Sequence, residues 1–356
     1  MAISLIDVAD NILVEAAKRV SKRIDRIEQI KDIPKEQLEY SEVDTDSRVK
    51  RYIQREKRFR EDDDALATDP GSTDEVGQER MIGTINDILS IEFLEAGVEA
   101  GKAVGKLDYA NGTECGTGFF ICPELILTNH HVIPDPYRAA ETVFELFDES
   151  NQIGEPRIPV SYYLDPDRFF LTSKDLDYTV VAIESGASTD QFGWLPLLAE
   201  QGKILIGHSV NIIQHPQGKA KMVVLQNSRL LDIVDNGDAT CFCWYEADTE
   251  RGSSGSPVFN NRWEIIALHH KAVPKQNVRG EILDINGRTM SKERYQREPH
   301  LVNWIANEGI RASRIVKSIA NEALPDQAQL LLRNRLLSLW ENPRSRRPGL
   351  KTGWLD

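Results

Sequence analysis

The segment Arg251-Gly252-Ser253-Ser254-Gly255-Ser256-Pro257-Val258 sets a serine inside a Gly-x-Ser-Gly-x-Pro turn. Such a turn can aim a hydroxyl outward and point backbone N–H groups at one spot. A serine hydroxyl is a weak nucleophile until a base takes its proton and hydrogen-bond donors receive the charge on the attacked oxygen. The chain also carries candidates for a base and for a carboxylate that orients it. Leu125-Ile126-Leu127-Thr128-Asn129-His130-His131-Val132 ends in a histidine pair, and Asp175-Leu176-Asp177 leads into the β-branched run Tyr178-Thr179-Val180-Val181-Ala182-Ile183. His, Asp, Ser is one of several chain orders that build the same three-residue geometry. The chemistry this set allows is nucleophilic acyl transfer, with the carboxylate fixing the tautomer of the base and stabilising its charged form.

Four segments, Gly116–Ile121, Leu127–Val132, Asp177–Ile183 and Gly252–Val258, together resemble the trypsin-like serine peptidases of the chymotrypsin fold. The likeness is nearest to the bacterial branches that include the glutamyl endopeptidases and the HtrA-type proteases, and it spans roughly residues 100–320. It implies Ser254 as nucleophile, His131 as general base and Asp177 as the orienting carboxylate, with the N–H groups of Gly252 and Ser254 as the oxyanion hole. By the same register Asp248, six residues before the nucleophile, lies at the base of the primary specificity pocket, where an aspartate suits a basic substrate side chain. Thr249 and His269 fall where glutamyl endopeptidases hold an acidic one. The two readings conflict, and an Asp248–His269 hydrogen bond would make the pocket suit neither charge, so the preference stays open.

Each assignment has a bland rival. A Gly/Ser run is ordinarily a flexible loop, although Pro257-Val258-Phe259 directly after it argues against a linker. His130 competes with His131, and on a strand only one of two neighbours faces a cleft. Asp175 competes with Asp177, and the register to Val180 and Val181 favours Asp177. His215, in Gln214-His215-Pro216-Gln217-Gly218, reads as a turn hydrogen-bonder. Arg80-Met81-Ile82-Gly83 resembles an activation-cleavage site, but the family's salt-bridge mechanism needs an aspartate where this chain has Ser253.

Composition fits a large folded enzyme: 356 residues, 40% hydrophobic. A net charge of −13 gives no electrostatic footprint for nucleic acid, and no apolar run approaches a membrane span. The first ten residues lack the basic and apolar regions of a signal peptide, so the expected compartment is the cytoplasm. Of the cysteines, Cys115 stands where secreted members of the resembled family begin a bridge, but Val132 occupies the second position. Cys241 and Cys243 read as buried free thiols on one strand, since Cys-x-Cys is not a usual metal spacing even with His269 and His270 near. No metal and no cofactor are expected.

These residues must be held by something, and the chain reads as mainly β. The expectation is two six-stranded antiparallel barrels of chymotrypsin type with helical extensions at both ends, organised as 1–80, 81–320 and 321–356. Strands are expected at Lys203–Ile213, Met222–Leu225, Leu230–Val234, Thr240–Tyr245 and Trp263–Leu268. Leu5, Val8, Ile12, Ala16, Val20, Ile24 and Ile27 form an amphipathic helical stripe, and Glu36–Arg60 is a second, highly charged stretch. Glu61–Asp64 and Asp69–Ser72 read as a solvated linker. Ile82–Lys106, residues 303–320 and Gln327–Trp340 carry helical periodicity, and the chain beyond Asn342 reads as disordered. The N-terminal region is either a passive charged appendage or a regulatory or self-associating helix pair. The functional expectation is a serine endopeptidase acting on protein or peptide, with a partner-regulated effector protease as its refinement. A peptide-capturing module without catalysis is the alternative.

Overall fold

A computed structural model describes residues 15–16, 18–21, 23–34, 37–38, 43–64, 89–109, 114–151, 153–234 and 238–341. In chain order these carry α1 (Ile24–Asp32), α2 (Asp46–Asp64), α3 (Glu92–Lys102), β1 (Val104–Tyr109), β2 (Glu114–Cys122), β3 (Leu125–Thr128), α4 (Pro136–Ala140), β4 (Thr142–Leu146), β5 (Val160–Ser173) and β6 (Tyr178–Ile183). There follow β7 (Asn211–Gln214), β8 (Met222–Val224), β9 (Arg229–Ile233), β10 (Phe242–Glu246), β11 (Pro257–Phe259), β12 (Ile265–Pro274), α5 (Lys292–Arg297), β13 (Trp304–Arg311), α6 (Ala312–Asn321) and α7 (Gln327–Glu341).

The first six strands close into an antiparallel barrel in the order β1-β2-β3-β6-β5-β4. Every residue of β3 and β6 is buried, in keeping with segments that lack strict polar–apolar alternation. Phe120 and Phe144 meet edge to face inside it, ring centres 5.2 Å apart. The second half is a seven-stranded sheet ordered β8-β7-β11-β12-β13-β10-β9. It departs from the expected six strands in number, and strand pairing does not close it.

The N-terminal region packs on the β9 side of that sheet. Ala16, Val20, Ile27 and Ile30 are at most 2% exposed, so the described part of the apolar stripe belongs to the core, while Leu5, Val8 and Ile12 lie outside the described residues. Charged side chains stitch the rest down. Arg23 forks onto Asp232 of β9 at 2.6 and 2.8 Å, Arg48 donates to the Ile233 carbonyl at 2.8 Å, and Arg55 forks onto Glu264 at 2.7 and 2.6 Å. The ion pairs give carboxylates buried in this half of the molecule their countercharge.

Several segments differ from their sequence reading. Residues 304–311 form β13 and not the start of a helix, because pairing with β10 and β12 on either side outweighs the weak helical periodicity. Ile82–Lys106 is helical only over α3 among its described residues and then turns into β1. Only Asn211–Ile213 of the stretch 203–213 is strand. Residues 61–64 continue α2 instead of beginning a linker; polar composition does not end a helix that is already propagating. The expected linker at 69–72, the Arg80–Gly83 segment and the tail from Asn342 lie outside the described residues. At the other end α7 returns to the first barrel, where Trp340 Nε1 donates to the Ile121 carbonyl at 2.8 Å. No helix among the described residues is long and apolar enough to cross a membrane.

Candidate active site

The turn after β3 carries both histidines, and they part company there. His131 Nδ1 lies 2.7 Å from Asp177 Oδ2, and the His131 backbone N–H donates to Asp177 Oδ1 at 2.8 Å. His130 turns the other way, its Nδ1 2.8 Å from Thr172 Oγ1. The pair is thus separated by a turn and not by strand alternation. Asp177 sits just before β6 with a left-handed φ of 45°, a conformation that aspartate tolerates better than most residues. Its carbonyl accepts from Asn129 Nδ2 at 2.9 Å. Asp175 is exposed.

Asp177 is 2% exposed. Burial alone raises a carboxyl pKa, but the charge of His131 and hydrogen bonds from His131 and His270 outweigh it and hold this one well below the ordinary carboxylate value. An ionised carboxylate only accepts hydrogen bonds, so the His131 Nδ1 must carry the proton. Its Nε2 is then the nitrogen available as a base.

Ser254 stands on the loop between β10 and β11, half-buried. The loop is pinned from both sides of the molecule. The Ser254 carbonyl accepts from the Thr117 N–H of the barrel at 2.9 Å, and Gly255 N–H donates to the His269 carbonyl of β12 at 3.1 Å. Gly255 has φ +88°, and a β-carbon there would lie 2.1 Å from the Thr117 carbonyl oxygen, so only glycine fits. Ser253 is buried, and its Oγ accepts from the Glu250 N–H at 3.1 Å. The N–H groups of Gly252 and Ser254 have no acceptor among the described residues. No hydrogen bond joins Ser254 Oγ to His131 among them either; such contacts commonly tighten only with substrate bound.

Each specificity candidate has its own partner. Asp248 is exposed and its carbonyl accepts from Gln214 Nε2 at 3.1 Å. Thr249 Oγ1 donates to Asn307 Oδ1 at 2.7 Å. His269 is hydrogen-bonded through Nδ1 with the Tyr245 hydroxyl at 2.7 Å, so the Asp248–His269 bond considered from the sequence is not formed. Burial, with the charges of His270 and His131, pushes His269 down to about 3. His215 Nδ1 meets the Lys219 carbonyl at 3.0 Å, in keeping with a turn role.

One residue at the centre was missed. His270 Nδ1 also lies 2.7 Å from Asp177 Oδ2. The His269–His270 pair was visible, but nothing in the sequence said that β12 would bring its second histidine to the barrel's aspartate. Ligand atoms of His131, Asp177 and His270 lie within 4.8 Å of one another, but the two Nδ1 groups and the Asp177 oxygen are already engaged with each other. Cys122 and Cys243 are buried free thiols and Cys241 is a half-buried one; the side chain of Cys115 is outside the described residues.

Residues 116–268 match the family model of the trypsin-like peptidase domain. Over this stretch the chain is similar to trypsin-like peptidases. The matched residues run from Gly116 of β2 through His131, Asp177 and Ser254 into β12. The matched stretch takes in β3 to β11 and parts of β2 and β12, and so most of the closed barrel and of the seven-stranded sheet. An uncharacterized protein of Sinorhizobium fredii (strain NBRC 101917 / NGR234), y4fB, is 34% identical over 258 residues, which cover 68% of this chain and 39% of that protein. The chain therefore spans about two-fifths of the length of that relative. Among solved structures, the inactive form of the Rv3671c protease aligns at 15% identity and TM-score 0.42, covering 64% of this chain and 93% of that one. Deg5 aligns at 17% identity and TM-score 0.38, covering 51% and 87%.

Proposed function

We propose that the protein is a serine endopeptidase that cleaves protein or peptide substrates through an acyl-enzyme on Ser254. The observation that carries this is the short His131–Asp177 pair, with its tautomer fixed, in a domain whose tight Gly252–Ser256 loop presents a serine and two uncommitted amides. In the reaction Ser254 Oγ attacks the substrate carbonyl carbon and His131 Nε2 takes the hydroxyl proton. The N–H groups of Gly252 and Ser254 receive the oxyanion. Collapse expels the amine, which takes the proton back from His131, and a water then repeats the sequence to release the acid and restore the serine.

The test is labelling with a fluorophosphonate probe, together with digestion of a proteome-derived peptide library read by mass spectrometry. Labelling and cleavage that vanish in Ser254→Ala and His131→Ala support the assignment. Cleavage surviving in Ser254→Ala would overturn it, and no labelling of the wild type would favour peptide capture without catalysis. The residue before each cut distinguishes an Asp248 pocket for basic side chains from a Thr249/His269 pocket for acidic ones.

A further inference from the structure

The carboxylate of Asp177 carries two imidazoles where the proposed reaction needs one. His270 is 2% exposed, and its Nδ1 reaches the same Oδ2 as His131. Its other nitrogen faces Glu308 Oε1 at 3.5 Å and has no hydrogen-bond partner among the described residues. Glu308 lies on β13, fully buried, and accepts from Trp244 Nε1 at 3.0 Å. A buried carboxylate without a countercharge is strongly unfavourable. Its countercharge comes from the N-terminal segment: Arg19 forks onto Glu308 through Nε at 3.1 Å and Nη2 at 2.5 Å. The same guanidinium lies 3.9 Å over the Phe242 ring, which packs 6.0 Å from the ring of His270. A line of charged and polar contacts thus runs from Arg19 through Glu308 and His270 to Asp177 and His131, its one step without a hydrogen bond being Glu308 to His270.

We propose that His270, Glu308 and Arg19 are positioning residues for the Asp177–His131 pair, so that the docked N-terminal segment is a working part of the active site. This rests on reading Ser254 as nucleophile and His131 as its base. His270 shares the Asp177 Oδ2 with His131, Glu308 faces the far nitrogen of His270 as a negative charge, and Arg19 balances the charge of Glu308. The charged and titratable groups around the pair are His130, Lys174 and Asp135 on the barrel side, and His269, His270, Glu308 and Arg19 on the sheet side.

Removing the charges along the line one at a time separates this from plain structural support. Removing the positive charge of Arg19 favours the imidazolium of His131, and removing the negative charge of Glu308 disfavours it. In the full chain, the pH dependence of the second-order rate of fluorophosphonate labelling is measured for wild type, Arg19→Gln, Glu308→Gln and the double variant. Histidine-selective nitrogen NMR follows the His131 ring in the same proteins, with thermal melts to establish folding. The expected result is an acid limb moved up in Arg19→Gln, down in Glu308→Gln, each by roughly a few tenths of a pH unit, and returned towards wild type in the double variant. Shifts of the same sign, or no shift in the NMR titration, would overturn the proposal. A wild type that never labels, with NMR shifts of opposite sign, would sink the peptidase reading and leave the positioning line standing.

Discussion

Asp177 is the residue on which the site turns, because it accepts three hydrogen bonds while fully ionised. Its depressed pKa means that it stays charged throughout neutral and moderately acid pH, so loss of activity on acidification is not protonation of Asp177. Asp177→Asn keeps the shape but exchanges one acceptor oxygen for a donor, and His131 can then flip its tautomer. The turnover number is expected to fall by about 10⁴-fold with KM little changed, as in triads of this geometry. Steady-state kinetics on a peptide found in the library digest checks this, and a loss below tenfold would remove Asp177 from the proposed role. Ser254, His131 and Asp177 were all legible as residue types at telling positions. His270 was not, because contact between β12 and the turn before β6 is a property of the packed barrel and sheet.

Two elements show how charge is managed inside the fold. On α2, Arg55 is 2% exposed and pairs with Glu264, itself 4% exposed, and with Glu200 at 2.9 Å. Arg55→Met leaves Glu264 buried without its countercharge and is expected to cost about 3–5 kcal/mol in urea denaturation. Adding Glu264→Met should recover much of that loss, and strict additivity would refute the coupling. The turn after β7 carries His215, fully buried, which desolvation pushes down to about 4 from an ordinary 6.5. Between those values the unfolded chain binds a proton that the folded chain refuses, so stability falls as pH drops from 6.5 towards 4. His215→Gln should remove up to about 1.4 kcal/mol per pH unit of that slope. Denaturation series at pH 7, 5.5 and 4.5 measure it, and an unchanged slope would show that His215 is not the group responsible.

In the molecule as a whole, the N-terminal region is neither a loose appendage nor a separable module over its described residues. It supplies Arg19 to Glu308, Arg23 to Asp232 and Arg55 to Glu264, and all three carboxylates are at most 4% exposed. Deleting residues 1–64 strips these buried carboxylates of their arginines and uncovers the apolar surface beneath Val20 and Ile27. The expected outcome is a melting temperature lower by about 5 °C or more, or an insoluble product. A stable truncated protein with raised activity would instead favour an inhibitory strap. Calorimetry of the two proteins side by side distinguishes them, and single substitutions at Arg19 test the same region without removing core.

Local chemistry was readable from the chain alone. The glycine pattern around Ser254, the histidine pair after an apolar strand and the aspartate before a β-branched one each depend on residues within a few positions of one another. The apolar residues of β3 and the β-branched ones of β6 likewise announced strands. What the chain left undecided depends on residues far apart in sequence. Residues 304–311 became a strand because β10 and β12 flank them, and Glu308 therefore points at His270. The N-terminal region joined the core because its apolar residues pack there and its arginines meet buried carboxylates. Propensity and periodicity are local, whereas strand partners and countercharges are chosen by long-range packing.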